Sequence, residues 1–287
     1  MNSIESALRK AAADLYRLSE SPRLEAEILL ADILGKARSH LRAWPEHLLS
    51  EEQTEAFRTL VRTRQQGIPL AYLTGTREFW SRDFIVTPDV LIPRPETELL
   101  IELSLQRIPD DRSVKLIDLG TGSGIIAITL AAERPLADVV AVDFSLPALS
   151  IAQRNAEKHR IRNVRFCRSD WFADVPDTQF DLIVSNPPYI AENDGHLEQG
   201  DLRFEPKTSL CAPEQGLADI RRIADTARAR LVPGGHLLIE HGYDQKQAAQ
   251  SVFKAFGYAE VETCYDLSGQ PRVTYGRYGS SRSPEPA

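Results

Sequence analysis

Lys115-Leu116-Ile117-Asp118-Leu119-Gly120-Thr121-Gly122-Ser123-Gly124 is the stretch that decides the fold class. A β-prone apolar run enters a glycine-rich turn, and the apolar residues 125–130 leave it with helical character. Glycines at such a strand-to-helix turn let the backbone approach a ligand closely, with no Cβ in the way and with N–H groups facing it. Gly122-x-Gly124-x-x-Ala127 also satisfies part of the relaxed dinucleotide pattern. The loop alone therefore does not separate S-adenosyl-L-methionine from NAD, or either from a purely structural turn.

The next strand narrows the choice of ligand. Asp143 closes it about twenty residues on, where a carboxylate can accept hydrogen bonds from both ribose hydroxyls of an adenosine. Pro147 just beyond suits the first turn of a following helix. At the end of the strand after that, Ser169-Asp170-Trp171-Phe172 offers a polar acceptor beside aromatic faces, suited to the edge and ring of adenine.

Working outward, β runs near 114–119, 139–143, 164–167 and 181–185 alternate with helices or turns, which calls for a parallel sheet covered on both faces. A helix near 217–230, a strand at 236–241 and a helix near 245–256 continue the pattern. Two last β runs, 260–265 and 272–278, flank a short turn containing Gly269 and are expected to pair as a hairpin at the sheet edge. The polar, Pro-rich tail 279–287 is expected to be disordered.

The first part of the chain reads differently. Ile4, Leu8, Ala11, Leu15 and Leu18, then Leu24, Ile28, Leu29 and Ile33, recur at helical spacing, and Gly35 suits a helix end. Ser50 with Gln53 is a capping-box signature ahead of Phe57, Leu60 and Val61. Residues 1–66 are thus expected to form a helical bundle. They hold no reactive constellation, so substrate docking is the expected role. Residues 67–95, punctuated by prolines, read as a connector carrying a β-hairpin, with 84–86 and 90–92 as its β-prone runs, and a helix follows from about 96 to 107.

Asn186-Pro187-Pro188-Tyr189, directly after the buried run 180–185, points to the chemistry. Two prolines stiffen the turn and leave the Pro187 carbonyl free to accept, while the Asn186 side-chain carbonyl supplies a second acceptor. Two acceptors around one –NH2 group hold both its hydrogens and direct its lone pair at an electrophile. Tyr189 offers a flat surface for a planar substrate. An amide nitrogen is a poor nucleophile, so binding that favours charge developing on it would stabilise the transition state selectively.

Composition excludes several classes. The 287 residues are 42% hydrophobic and 26% charged, which suits one large core or two unequal ones. A net charge of −7 argues against a protein whose main task is gripping long nucleic acid. Nothing approaches the roughly 20 consecutive apolar residues of a membrane span, and the N-terminus lacks a signal-peptide pattern. Cys167, Cys211 and Cys264 are far apart and the six histidines form no ligand spacing, so no metal is expected and a reducing cytoplasm fits.

Taken in order, Ala71-Tyr72-Leu73-Thr74-Gly75, Arg77-Glu78-Phe79-Trp80, Leu91-Ile92-Pro93-Arg94-Pro95-Glu96-Thr97-Glu98, the glycine loop, Ser169-Asp170-Trp171-Phe172, Asn186-Pro187-Pro188-Tyr189-Ile190 and Leu202-Arg203-Phe204-Glu205-Pro206 closely resemble the HemK/PrmC family of release-factor glutamine methyltransferases. The resemblance implies an α/β class I methyltransferase (Rossmann-like) domain over 96–278, with a mostly parallel seven-stranded sheet. It implies methylation of the N5 atom of the glutamine in the Gly-Gly-Gln motif of class 1 peptide-chain release factors, using S-adenosyl-L-methionine. Gly120, Thr121, Gly122, Ser123, Gly124, Asp143, Trp171 and Asn186 would then contact the cofactor, and Asn186, Pro187, Pro188 and Tyr189 the glutamine. Phe204 and Arg94 are candidates for the wall of the site. Two rivals stay open at this point: a methyltransferase of exocyclic adenine or guanine amines, which also present a planar –NH2, and a non-catalytic protein that binds S-adenosylmethionine.

Overall fold

The structure is a computed structural model and describes residues 2–279; the tail expected to be disordered lies, apart from Gly279, outside the described residues. The chain divides into two compact units, Met1–Thr76 with Gly195–Phe204, and Arg77–Asp194 with Glu205–Ala287.

In the first unit, helices Ile4–Leu15, Pro22–Leu34 and Glu51–Gln65 bury Ile4, Leu8, Leu15, Leu29, Leu30, Phe57 and Val61 against one another. Each fully buried aliphatic side chain contributes about 1.5–3 kcal/mol. Gly35 ends the second helix at φ +59°, a left-handed cap open to glycine without a Cβ penalty. The capping box is formed: Gln53 N–H donates to Ser50 Oγ at 3.1 Å, and Ser50 N–H to Gln53 Oε1 at 3.0 Å. Buried Arg64 explains why residues 195–204 belong here, since it pairs with Glu25 and Asp201 and donates to the Gly67 and Ile68 carbonyls. Gly67, at φ +93°, leaves room for Arg203, whose Nη2 would lie 2.0 Å from a Cβ there.

Sequence reading missed two short helices in this unit, Arg38–Ala43 and Leu70–Thr74. The second is bracketed by Pro69 and by left-handed Gly75. A proline before and a glycine after are how a short helix starts and stops.

In the second unit a seven-stranded sheet runs in the order 259–265, 271–277, 231–240, 180–185, 115–119, 138–143, 164–168. The five strands from 231–240 to 164–168 are parallel, and 271–277 is antiparallel to both its neighbours, so the closing hairpin sits at the edge as expected. Helices Glu98–Leu105 and Ile125–Glu133 cover one face through Leu100, Ile101, Ile126 and Leu130. Ala218–Ala227 and Lys246–Ala255 cover the other through Ile220, Ile223 and Phe253. Along the strand Lys115–Leu119, Leu116 faces the first layer and Ile117 and Leu119 the second, the alternation a doubly covered strand requires.

The hairpin Thr76–Phe79 and Arg82–Ile85 turns on Trp80 and Ser81, both at positive φ. Bulky residues pay strain there, offset by bonds from the Trp80 N–H to Glu98 Oε1 at 3.0 Å and from its indole to Glu133 Oε1 at 3.2 Å. The run Val90-Leu91-Ile92 is not a strand, contrary to its β-prone composition: the Ile92 N–H goes to the Glu205 carboxylate at 3.0 Å instead of to a ladder. A small parallel pair, Ile190–Ala191 with Cys211–Ala212, had no recognisable sequence signal at its length. The strand order reverses beside 115–119, and the C-terminal ends of the strands around this switch point are where open α/β sheets bind ligands.

Candidate active site

Gly120, Gly122 and Gly124 all adopt positive φ, at +74°, +55° and +85°. The loop spends its donors internally: the N–H groups of Gly120 and Thr121 go to the Val142 carbonyl at 2.9 and 2.8 Å, that of Gly122 to Asp143 Oδ2 at 2.9 Å, and that of Gly124 to the Thr121 carbonyl at 2.8 Å. Contrary to the expectation of ligand-facing N–H groups, these glycines chiefly offer an absence of side chain. Gly124 also lets helix and sheet pack, because a Cβ there would meet Ile128 Cδ1 at 2.7 Å.

Fully buried Asp118 ties this loop to its helix, accepting from Thr121 Oγ1 at 2.6 Å and the Ala127 N–H at 3.2 Å. Burial outweighs those bonds and raises its pKa to about 7. Asp143 accepts from Ser145 N–H through Oδ1 and from Gly122 N–H through Oδ2, both at 2.9 Å. Its pKa is raised by burial and held back by the N–H groups of Ser145, Gly122 and Phe144. Each carboxylate oxygen keeps a second acceptor position, so two ribose hydroxyls can still be received.

Trp171, itself at φ +52°, lays its indole against Gly120, where an added Cβ would come within 3.3 Å of the ring. Its indole donates to Asp219, whose carboxyl burial raises and this bond lowers. Asp170 is held by Arg222 at 2.9 and 2.8 Å. Phe172 belongs to the core and not to the site.

These groups line one cavity of about 490 Å³, within the range usual for small-molecule sites. Gly120, Thr121, Gly122, Ser123, Asp143, Trp171, Asn186 and Pro188 all face it, as do Thr97, Asp219 and Arg94, the last ion-paired with buried Glu205. Gly124, Pro187 and Tyr189 lie outside this lining. An apolar indole, a carboxylate with spare acceptors, a side-chain-free loop and acidic surroundings fit a cationic adenosine derivative such as S-adenosylmethionine.

The turn after the strand Phe180–Ser185 is fixed from several sides. Ser185 Oγ donates to the Leu119 carbonyl at 2.7 Å, and Asn186 Nδ2 to Thr97 Oγ1 at 3.3 Å. Tyr189 points its hydroxyl at Glu240 Oε1, 3.5 Å away, and burial followed by the Glu240 charge pushes its phenol pKa upward. The sequence reading gave Tyr189 a stacking surface, while here its hydroxyl end is turned to Glu240. The Tyr189 carbonyl accepts from Gln245 Nε2 at 2.9 Å and abuts Gly216. Glu214, Gln215 and Gly216 form a run of left-handed residues, and a Cβ on Gly216 would sit 1.9 Å from that carbonyl oxygen. Gly216→Ala is therefore expected to destabilise the fold by about 1–3 kcal/mol through forced backbone movement. Denaturant unfolding measures this, and an unchanged midpoint would contradict the contact.

Thr97, Asp118, Asp219, Gly216, Glu240 and Gln245 were missed by sequence reading. Most come from distant elements and carry no local motif.

The fold and this lining define a Rossmann-like, S-adenosylmethionine-dependent methyltransferase. Residues 96–201 match the model of the Methyltransferase small domain, and residues 6–75 that of the PrmC N-terminal domain. The release factor glutamine methyltransferase of Salmonella typhimurium is 50% identical over 267 residues, covering 93% of this chain and 96% of that protein. That of Escherichia coli is 49% identical over 271 residues, covering 94% and 97%, and that of Coxiella burnetii 43% over 279, covering 97% and 100%. This chain belongs to the release factor glutamine methyltransferase family. At the level of fold it also matches a Pyrococcus furiosus methyltransferase, with TM-score 0.54, 16% identity, and 77% of this chain and 98% of the other covered. A T. thermophilus 16S rRNA N2 G1207 methyltransferase solved with AdoMet and guanosine gives TM-score 0.52 at 19% identity, covering 71% and 49%.

Proposed function

We propose that this protein methylates the N5 amide nitrogen of the glutamine in the Gly-Gly-Gln motif of class 1 peptide-chain release factors, in the cytoplasm. Bound S-adenosylmethionine supplies a sulfonium methyl open to displacement: the N–C bond forms, the C–S bond breaks, and the amide nitrogen gives up a proton. The observation that carries the reading is Asn186. Its Nδ2 is committed to Thr97, so Oδ1 is the atom left to accept from a substrate –NH2 at the cavity. The Pro187 carbonyl is proposed as the second acceptor and Tyr189 as a support of the turn. With both N–H bonds fixed, the lone pair is aimed before reaction begins, and orientation supplies much of the acceleration. Among the described residues no helix is long and apolar enough to cross a membrane.

The test is methyl transfer from labelled cofactor to release factor, DNA and RNA, with the modified atom located by mass spectrometry. Label on the release-factor glutamine is expected. Label on nucleic acid alone, or on nothing, would instead favour a base-amine methyltransferase or a non-catalytic binder.

The N-terminal unit is proposed to dock the protein substrate, because a glutamine on a loop is chemically ordinary and its selection needs contacts remote from the amide. Removing residues 1–66 would strip Arg64 from Asp201 and from residues 195–204, so surface substitutions are the cleaner probe. Trp44 and Tyr16 are 62% and 76% exposed, unusually open for large aromatic residues. Replacing both with alanine is expected to raise KM for intact release factor about tenfold, as for loss of an aromatic anchor. Cofactor affinity and the rate on a short Gly-Gly-Gln peptide should not change. An equal effect on peptide and protein would contradict docking here.

A further inference from the structure

We propose that Glu240 is a positioning residue: its buried carboxylate, acting with the Thr97 hydroxyl, holds the Asn186 amide in the orientation that presents Oδ1 to the substrate. This rests on the amide-methylation reading above. Sheet register supplies the placement. Ser185 pairs with Ile239, so Asn186 and Glu240 leave neighbouring parallel strands together.

An asparagine amide is nearly symmetric in shape, and only its partners decide which end faces which way. A hydroxyl cannot decide alone, because Thr97 Oγ1 can either accept from Nδ2 or donate to Oδ1. An ionised carboxylate only accepts. It draws the Thr97 hydrogen toward itself, which leaves Thr97 an acceptor toward Asn186, and a carbonyl turned inward would then meet oxygen lone pairs. Thr97 and Asn186 both stabilise the charged form of Glu240. The Glu240 side chain is fully buried, and its Oε2 has no hydrogen-bond partner among the described residues. Asn186 lowers the Glu240 pKa as a side-chain hydrogen-bond partner, a contact with a carboxylate that an amide N–H can make and a carbonyl cannot.

Protonation would remove the discrimination, since Glu240 would gain a donor and Thr97 would be free to turn. The groups facing Glu240 are Arg272 from the strand Pro271–Arg277, Glu96 next to Thr97, and the Tyr189 hydroxyl. Burial pushes the pKa of adjacent His241 down, and its ring nitrogens bond to the Gly242 carbonyl and Thr274. Burial first, opposed by Thr97 and Arg272, raises the Glu240 pKa to about 7. The active arrangement needs the ionised form, so methyl transfer should be complete above this value and decline as pH falls through it.

The experiment combines single-turnover methylation at saturating cofactor, from pH 6 to 8.5, with ¹⁵N NMR of the Asn186 side-chain amide, assigned by its loss in Asn186→Ala. In the unsubstituted protein both the rate and the Asn186 Nδ2 resonance should titrate near pH 7. Glu240→Gln should lower kcat about tenfold, as for loss of an orienting group, leave cofactor affinity unchanged and abolish both titrations. If Glu240→Gln does not fold, Thr97→Val should lower kcat similarly and Thr97→Ser should restore it. A purely structural Glu240 would leave the pH limb in place in the variant, and that result, or an Asn186 resonance that does not titrate, overturns the proposal. Absence of amide methylation by the unsubstituted protein would count against the functional reading, while the resonance would still decide the orientation of Asn186.

Discussion

Replacing Asn186 with alanine is expected to lower methyl transfer by about 10²-fold or more, the scale seen when one oriented polar group is taken from a preorganised site. Cofactor affinity should be little changed, because the glycine loop, Asp143 and Trp171 keep their own partners without Asn186. The loss should fall on kcat. An acceptor that fixes one N–H of the substrate matters most as charge develops on nitrogen, and less while the amide is neutral. The substitution also takes a donor from Thr97 and from the neighbourhood of buried Glu240, a cost of about 1–3 kcal/mol in stability. Single-turnover rates with saturating cofactor separate these effects, provided folding is followed in parallel. Near-normal turnover would remove Asn186 from the chemistry.

How much of this was legible in the sequence depended on how local the signal was. The glycine loop and Asn186 follow directly from a strand and Asp143 ends one, so strand periodicity and a short motif locate them together. Ser50 and Gln53 were readable for the same reason, because a capping box is closed within one turn. Glu240 was not: it is a lone glutamate at a strand end, and only the pairing of Ser185 with Ile239 brings it beside Asn186. Thr97 likewise reaches Asn186 across 89 residues of sequence. Trp80 and Ser81 make a left-handed turn that neither residue type advertises. Residues 90–92 have the composition of a strand, but the Ile92 N–H goes to Glu205, far along the chain, and the Val90 N–H to the Thr87 carbonyl. The glycine loop, Asp143, Trp171 and Asn186, which line the cavity, were therefore visible in the sequence, whereas Thr97, Asp219 and Glu240 are brought to them from distant elements.

The second large effect is expected at Asp143. Asp143→Ala should weaken S-adenosylmethionine binding by about 10²-fold or more, since two charge-assisted hydrogen bonds to ribose hydroxyls are lost at roughly 1.5–3 kcal/mol each, less what water restores. The structure adds a second reason. The same carboxylate receives the Gly122 and Ser145 N–H groups, so its removal leaves the glycine loop and the start of the next helix without an anchor. Asp143→Asn distinguishes these contributions: its one carbonyl oxygen can keep one backbone donor, while its –NH2 faces the other. Its affinity should fall between those of the parent and the alanine variant. The pH dependence has a definite sign. Burial raises the Asp143 pKa, and the ionised form is the better acceptor, so affinity should fall with decreasing pH, beginning above the range of an ordinary aspartate. Calorimetric titration at a series of pH values, with folding checked by circular dichroism, measures both. A folded Asp143→Ala that bound the cofactor as tightly as the parent would show that the ribose is held elsewhere.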